Sequence, residues 1–123
     1  MNITDFRKQV TIELIAGSQY IPQEARQYII NELSKTCGGM TELTSIGYWM
    51  DEAGEVRKTE YEGELHVEET LHLTMTCEDS KLEGVYNRIQ QVVQVANNMY
   101  DLQWSWIHCK LSESYGAHFK IGG

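Results

Sequence analysis

An α+β fold in the order β-α-β-β-α-β is what this sequence predicts. Three observations carry it. Apolar residues alternate along several stretches, recur every three to four positions in two others, and glycines, an asparagine pair and a hairpin loop mark the joins. The chain has 123 residues, a length for one domain spanning 1–123 that buries about two-thirds of its unfolded surface.

The first strand is "FRKQVTIELIAG", with Val10, Ile12 and Leu14 on one side and a stop at Gly17. A helix of roughly 15 residues follows in "YIPQEARQYIINELSKTCGG". Pro22 suits its first turn, Glu24 its positive end, and Gly38-Gly39 a left-handed stop. Ala25, Ile29, Leu33 and Cys37 make its buried stripe, widened by Tyr28 and Ile30. A strand over Leu43–Met50 then enters a short hairpin loop at Asp51–Gly54. The returning strand leaves from Glu55, bends or bulges near Gly63, and reaches Cys77. Along it Leu65, Val67, Leu71, Leu73, Met75 and Cys77 share one face, interrupted by Glu69. His66, Glu68, Thr70, His72, Thr74 and Thr76 share the other.

The second helix opens on Ser80 and Glu83 in capping-box spacing. Its stripe is Leu82, Val85, Tyr86, Ile89, Val92, Val93, Ala96 and Met99, closed by Asn97-Asn98. "YDLQWSWIHCKL" (Tyr100–Leu111) reads as the last strand, and residues from about 112 to 123 as a tail or an arm laid on a neighbouring subunit. Two right-handed crossings around a hairpin give the split arrangement of the ferredoxin-like fold: four antiparallel strands with both helices on one face.

Composition excludes several function classes. The net charge of −8 opposes duplex nucleic acid across a broad basic face. Hydrophobic residues make up 41% and charged ones 23% of the chain, as in folded domains. No apolar run approaches the roughly 20 residues of a membrane span, and the first residues hold no apolar signal core. The expected location is the cytoplasm. Cys37, Cys77 and Cys109 are odd in number and far apart, so they read as reduced thiols rather than as a disulfide framework or zinc site.

The last strand poses the functional question. Its alternation sets Trp104, Trp106 and His108 on one face and Ile107, Cys109 and Leu111 on the other. The apolar set suits the helix-covered side, which favours the tryptophans on the open face. There they would serve as a stacking shelf for a planar ligand, as the seam of a homo-oligomer, or as both. The reverse assignment must find partners for two indole N–H groups.

His66 and His72 lie six positions apart on a strand, about 20 Å, too far to share a metal ion. Arg57 and Lys58, the mid-chain basic pair, either meet an anion or pair with neighbouring acids. Glu68 and Glu69 offer carboxylates, but no nucleophile–base spacing, phosphate loop or HExxH motif accompanies them, and no cofactor is implied.

The segment "GGMTELTSIGYWMDEAGEVRKTEYEGEL" (Gly38–Leu65) resembles small ferredoxin-like proteins encoded by phages and prophages. Some such proteins bind a bacterial defence protein or sequester a nucleotide signal in an oligomer. The resemblance implies that possibility, in the host cytoplasm, without motifs that carry over residue by residue. The charge departs from it, since a nucleotide trap needs cations, and Arg26, Arg57, Lys58, Arg88 and Lys110 are the visible sources.

The leading expectation is a non-enzymatic homo-oligomeric binding protein for a small anionic or nucleotide-like ligand, or for a host protein. Tyr48, Trp104 and Trp106 are the candidates for stacking, Arg57 for the anion, and His72 and His108 for hydrogen bonding. The alternatives are a small enzyme using His72 or His108 with Glu68 on the open face, and a structural self-association module.

Overall fold

The computed structural model describes residues 3–18, 20–50 and 65–122. Its elements are β1 (Arg7–Ser18), α1 (Gln23–Cys37), β2 (Met40–Leu43), β3 (Ile46–Met50), β4 (Leu65–Cys77), α2 (Leu82–Met99) and β5 (His108–Gly116). The strand pairings are antiparallel, and the lateral order is β5-β1-β4-β2, with β3 also on β4. This is the ferredoxin-like arrangement that the alternation predicts.

The expected single strand through Leu43–Met50 is present as two ladder segments in one register. Leu43 faces His72 and Ile46 faces Glu69, so positions 44 and 45 interrupt the ladder without a slip. The hairpin loop at Asp51–Gly54 and the bend near Gly63 lie outside the described residues.

The core forms where the two central strands turn one face to the helices. Ile12 and Leu14 of β1 and Leu71, Leu73 and Met75 of β4 are buried, as are Ala25, Ile29 and Leu33 of α1. Val85, Ile89, Val92, Val93 and Ala96 complete it from α2. α1 ends as its glycines require: Gly38 has φ 77°, and its N–H donates to Ser34 O at 2.9 Å.

α2 begins differently from expectation. A 3-10 turn at Asp79–Lys81 leads into it, with no side-chain cap on the helix's first turn, so the Ser80/Glu83 capping box does not form. Ser112 to Gly116 belong to β5, and the tail is shorter than expected, starting at Ala117.

The one acid on β4's apolar side has a partner. Arg26 of α1 donates to Glu69 at 2.7 Å and to Glu42 of β2 at 2.8 Å, with its own side chain largely covered. One guanidinium thereby ties α1 to two strands and removes Arg26 from the cations free for a ligand. Arg88 of α2 is similarly held by Glu32 of α1 at 3.0 Å.

Truncating Leu73 to alanine is predicted to cost about 2–5 kcal/mol in urea unfolding. The exposed Leu111, changed the same way, should shift monomer stability by no more than about 0.5 kcal/mol.

Candidate ligand site

The site is built by the connection from α2 to β5. α2 ends with Tyr100 N–H donating to Ala96 O at 3.0 Å and Leu102 N–H donating to Asn97 O at 3.1 Å. Asn97 then grips the next segment with both ends of its amide. Its Nδ2 donates to Trp104 O at 3.0 Å, and its Oδ1 accepts from Trp104 N–H at 2.9 Å. Leu102 is buried, while Asp101 and Gln103 on either side take left-handed φ values of 51° and 63°. Gln103 Nε2 also donates to Asp101 Oδ1. The Tyr100 ring meets Tyr28 of α1 at 6.2 Å between centroids.

These constraints overturn the expected strand over Tyr100–Leu111. β5 starts at His108, and the tryptophans lie in the connection on the side of α2, away from the open sheet face. An alternation of side chains read as strand is here a looped segment. Two left-handed residues, neither of them glycine, turn the chain before the sheet is reached.

Trp104 is half-buried against the core and Trp106 is 67% exposed. Between them and α2 lies a hollow of about 400 Å³, within the size range of small-molecule sites. Tyr86, Ile89 and Val93 line its helix side and Ile107 and Cys109 its strand side. Gln90, Gln94, Asn97 and Ser105 supply neutral polar groups, and among the described residues the lining holds no charged side chain. The buried Trp104 Nε1 has no hydrogen-bond partner among the described residues, and an indole N–H in that state costs about 1–3 kcal/mol. Burial pushes the Cys109 thiol above its ordinary range, which keeps it protonated at neutral pH. A second hollow, of about 370 Å³, is lined by Leu82, Glu83, Leu111 and the shared Tyr86 and Cys109.

The open face carries a different set. His72 Nε2 meets Glu13 Oε1 at 2.7 Å, and His72 Nδ1 meets Ser45 Oγ at 3.3 Å. Thr70 Oγ1 donates to Ser45 O at 2.7 Å and also contacts Ser45 Oγ. His72 thus has Glu13 beside it, a partner that spacing along one strand could not reveal. His108 sits on the same cross-strand row, with Ile15 between the two histidines, about 10 Å away.

Of the six residues singled out by sequence, Trp104 and Trp106 come together, and His72 and His108 lie apart from them on the other face. Tyr48 pairs with Val67 through the β3–β4 ladder; its side chain and the whole of Arg57 lie outside the described residues. Asn97, Gln90 and Gln94 were missed, because polar residues on a helix flank read as solvated surface.

Among the described residues no group of three His, Cys, Asp or Glu side chains gathers as for a metal ion. No described helix is long and apolar enough to cross a membrane.

No protein-family model matches the chain, and no curated protein matches it. Among solved structures, it is similar to one that bears the name of a PII-like signalling protein, from Thermus thermophilus. The match covers 92% of this chain and 93% of that one, with 11% identity and a TM-score of 0.42. A likeness this distant carries nothing about function, and the fold stands on the strand order above.

Replacing Asn97 by alanine is predicted to cost about 1–3 kcal/mol in urea unfolding and to shift tryptophan emission to the red. The exposed Asn98→Ala should do neither. The thiols of Cys37, Cys77 and Cys109 are all raised, chiefly by burial. Their labelling by a disulfide reagent at pH 8 should be slow in the folded protein and fast in urea.

Proposed function

We propose that the chain is a non-enzymatic, self-associating binding protein that takes the flat ring of a small molecule into the hollow between α2 and the two indoles. The supporting observation is the lining itself: two tryptophans and neutral amides around a volume that suits one ring system. Apolar walls with a few neutral donors and acceptors favour an uncharged heteroaromatic group carrying its own hydrogen-bonding edge. A nucleobase has that character, so a nucleotide-like ligand enters base first.

The phosphate of such a ligand needs a cation outside the lining. Arg26 and Arg88 are held by acids, and Lys110 lies opposite Glu13 on the open face, which leaves Arg57 and Lys58 of the cations singled out by sequence. Sequestration of a nucleotide signal by a phage-encoded protein follows from the sequence resemblance. It asks only for tight binding, so it is compatible with this reading.

Titration of intrinsic tryptophan fluorescence with nucleoside monophosphates tests it. Saturable quenching is expected, and Trp106→Ala, at an exposed position, should weaken binding by about 1–3 kcal/mol, roughly 5- to 150-fold. Absence of quenching with all four bases, or an unchanged affinity in Trp106→Ala, would sink the proposal.

A second reading has one specific observation in its favour. Ser45, His72 and Glu13 are joined in the order hydroxyl, imidazole, carboxylate, the sequence of groups that activates a serine nucleophile. Against it, Ser45 Oγ is also engaged by Thr70. Hydrolysis of p-nitrophenyl acetate that Ser45→Ala and His72→Ala both abolish would establish the enzyme reading. Rates at the level of free imidazole would dismiss it.

A further inference from the structure

β5 is a nine-residue strand that pairs, among the described residues, on one edge only. Its partner is β1, in an unbroken register from Arg7↔Gly116 to Ile15↔His108. It contains no proline and no bulge, two of the devices that keep a free edge from pairing, and the charges it carries, Lys110 and Glu113, are of opposite sign. Large apolar side chains crowd the same region: Trp106 is 67% exposed, Leu111 60%, Tyr115 70%, Phe119 70% and Ile121 90%. We infer that the β5 edge pairs antiparallel with the β5 edge of a second copy, and that the second copy completes the ligand site. This inference rests on the hollow being that site.

Self-pairing about a two-fold axis fixes the register. Leu111 and Tyr115 stand on the helix-covered side, opposite Ile12 and Lys8 of β1. To keep these apolar groups together, the axis must pass through a residue position. Residues directly opposite then share a face. An axis at Lys110 or Glu113 sets like charges against each other. An axis at Ser112 pairs all nine residues, with Lys110 opposite Ser114 and Glu113 opposite Leu111, and no like charges meet. Ser112 is the centre of the strand, so this is also the longest register.

The same register accounts for the exposed apolar groups. Cys109 faces Tyr115 of the second copy, which places that phenol over the second hollow, beside Tyr86 and Leu111. His108 faces Gly116 of the second copy, so the tail that starts at Ala117 leaves the seam beside Ile107 and Trp106 of the other chain, with Phe119 and Ile121 as its exposed apolar groups. Each chain lends its tail to the other's site, as an isologous seam demands. Main-chain hydrogen bonds across the edge hold the pair.

Sedimentation equilibrium of the full chain, with the fold checked by far-UV circular dichroism, tests the seam. The expected mass is twice the 14.2 kDa of the chain. Ser112→Lys, which brings two ammonium groups face to face on an exposed strand, should give a folded monomer. Ser112→Cys should crosslink to a covalent dimer under mild oxidation faster than Ser114→Cys or the unmodified chain. A monomer at every attainable concentration overturns the inference. So does a dimer that Ser112→Lys leaves intact and Ser112→Cys fails to trap. The two readings fail separately. A monomer whose fluorescence nucleotides quench removes the seam and keeps the ligand site, whereas a dimer that disperses with Ser112→Lys but shows no quenching does the reverse.

Discussion

The pairing of β1 with β4 is the constraint on which the rest depends. Nine residue pairs, from Val10↔Cys77 to Ser18↔Glu69, bring Ile12 beside Met75 and Leu14 beside Leu73. Both helices pack on that shared face. A slip of one residue would turn one strand's apolar row to the other side, so the hydrophobic pattern locks the register. Everything lateral follows: β2 and β3 take the outer edge of β4, and β5 takes that of β1, with its other edge free among the described residues.

This frame also explains why the candidate site lies beside the sheet rather than on it. The open face is occupied by short hydrogen-bonding side chains that satisfy one another, such as Ser45 with Thr70 and His72 with Glu13. The segment between α2 and β5 has no ladder to join, and Asn97 fixes it instead. Its two indoles therefore stand at the flank of α2, where a hollow forms that no side chain of the described residues fills.

The fold was legible because its signals are additive over many residues. The odd positions of β4 and the spacing of Ala25, Ile29 and Leu33 each repeat one message several times. Even the apparent flaw in the pattern, Glu69, proved to be an attachment point for Arg26. The site was legible only by residue type. Trp104 and Trp106 stood out, but their placement hinges on left-handed φ values at Asp101 and Gln103. Aspartate favours that region only weakly, and glutamine does not announce it. The partners Glu13 and Ser45 of His72 were hidden for another reason: cross-strand neighbours are set by register, and register emerges only when the sheet is assembled. The helix cap at Ser80 shows the opposite error, a local motif displaced by a 3-10 turn.

The most direct measurement is nitrogen-15 chemical-shift mapping of the full chain during titration with nucleoside monophosphates. The predicted result is a saturable shift of the Trp106 indole N–H, the exposed one of the two that line the hollow. The Gln90 and Gln94 side-chain amides should move with it, while Thr74 and Ser112 on the open face stay still. Shifts concentrated on Thr74, Lys110 and Ser112, with the Trp106 indole unmoved, would contradict it.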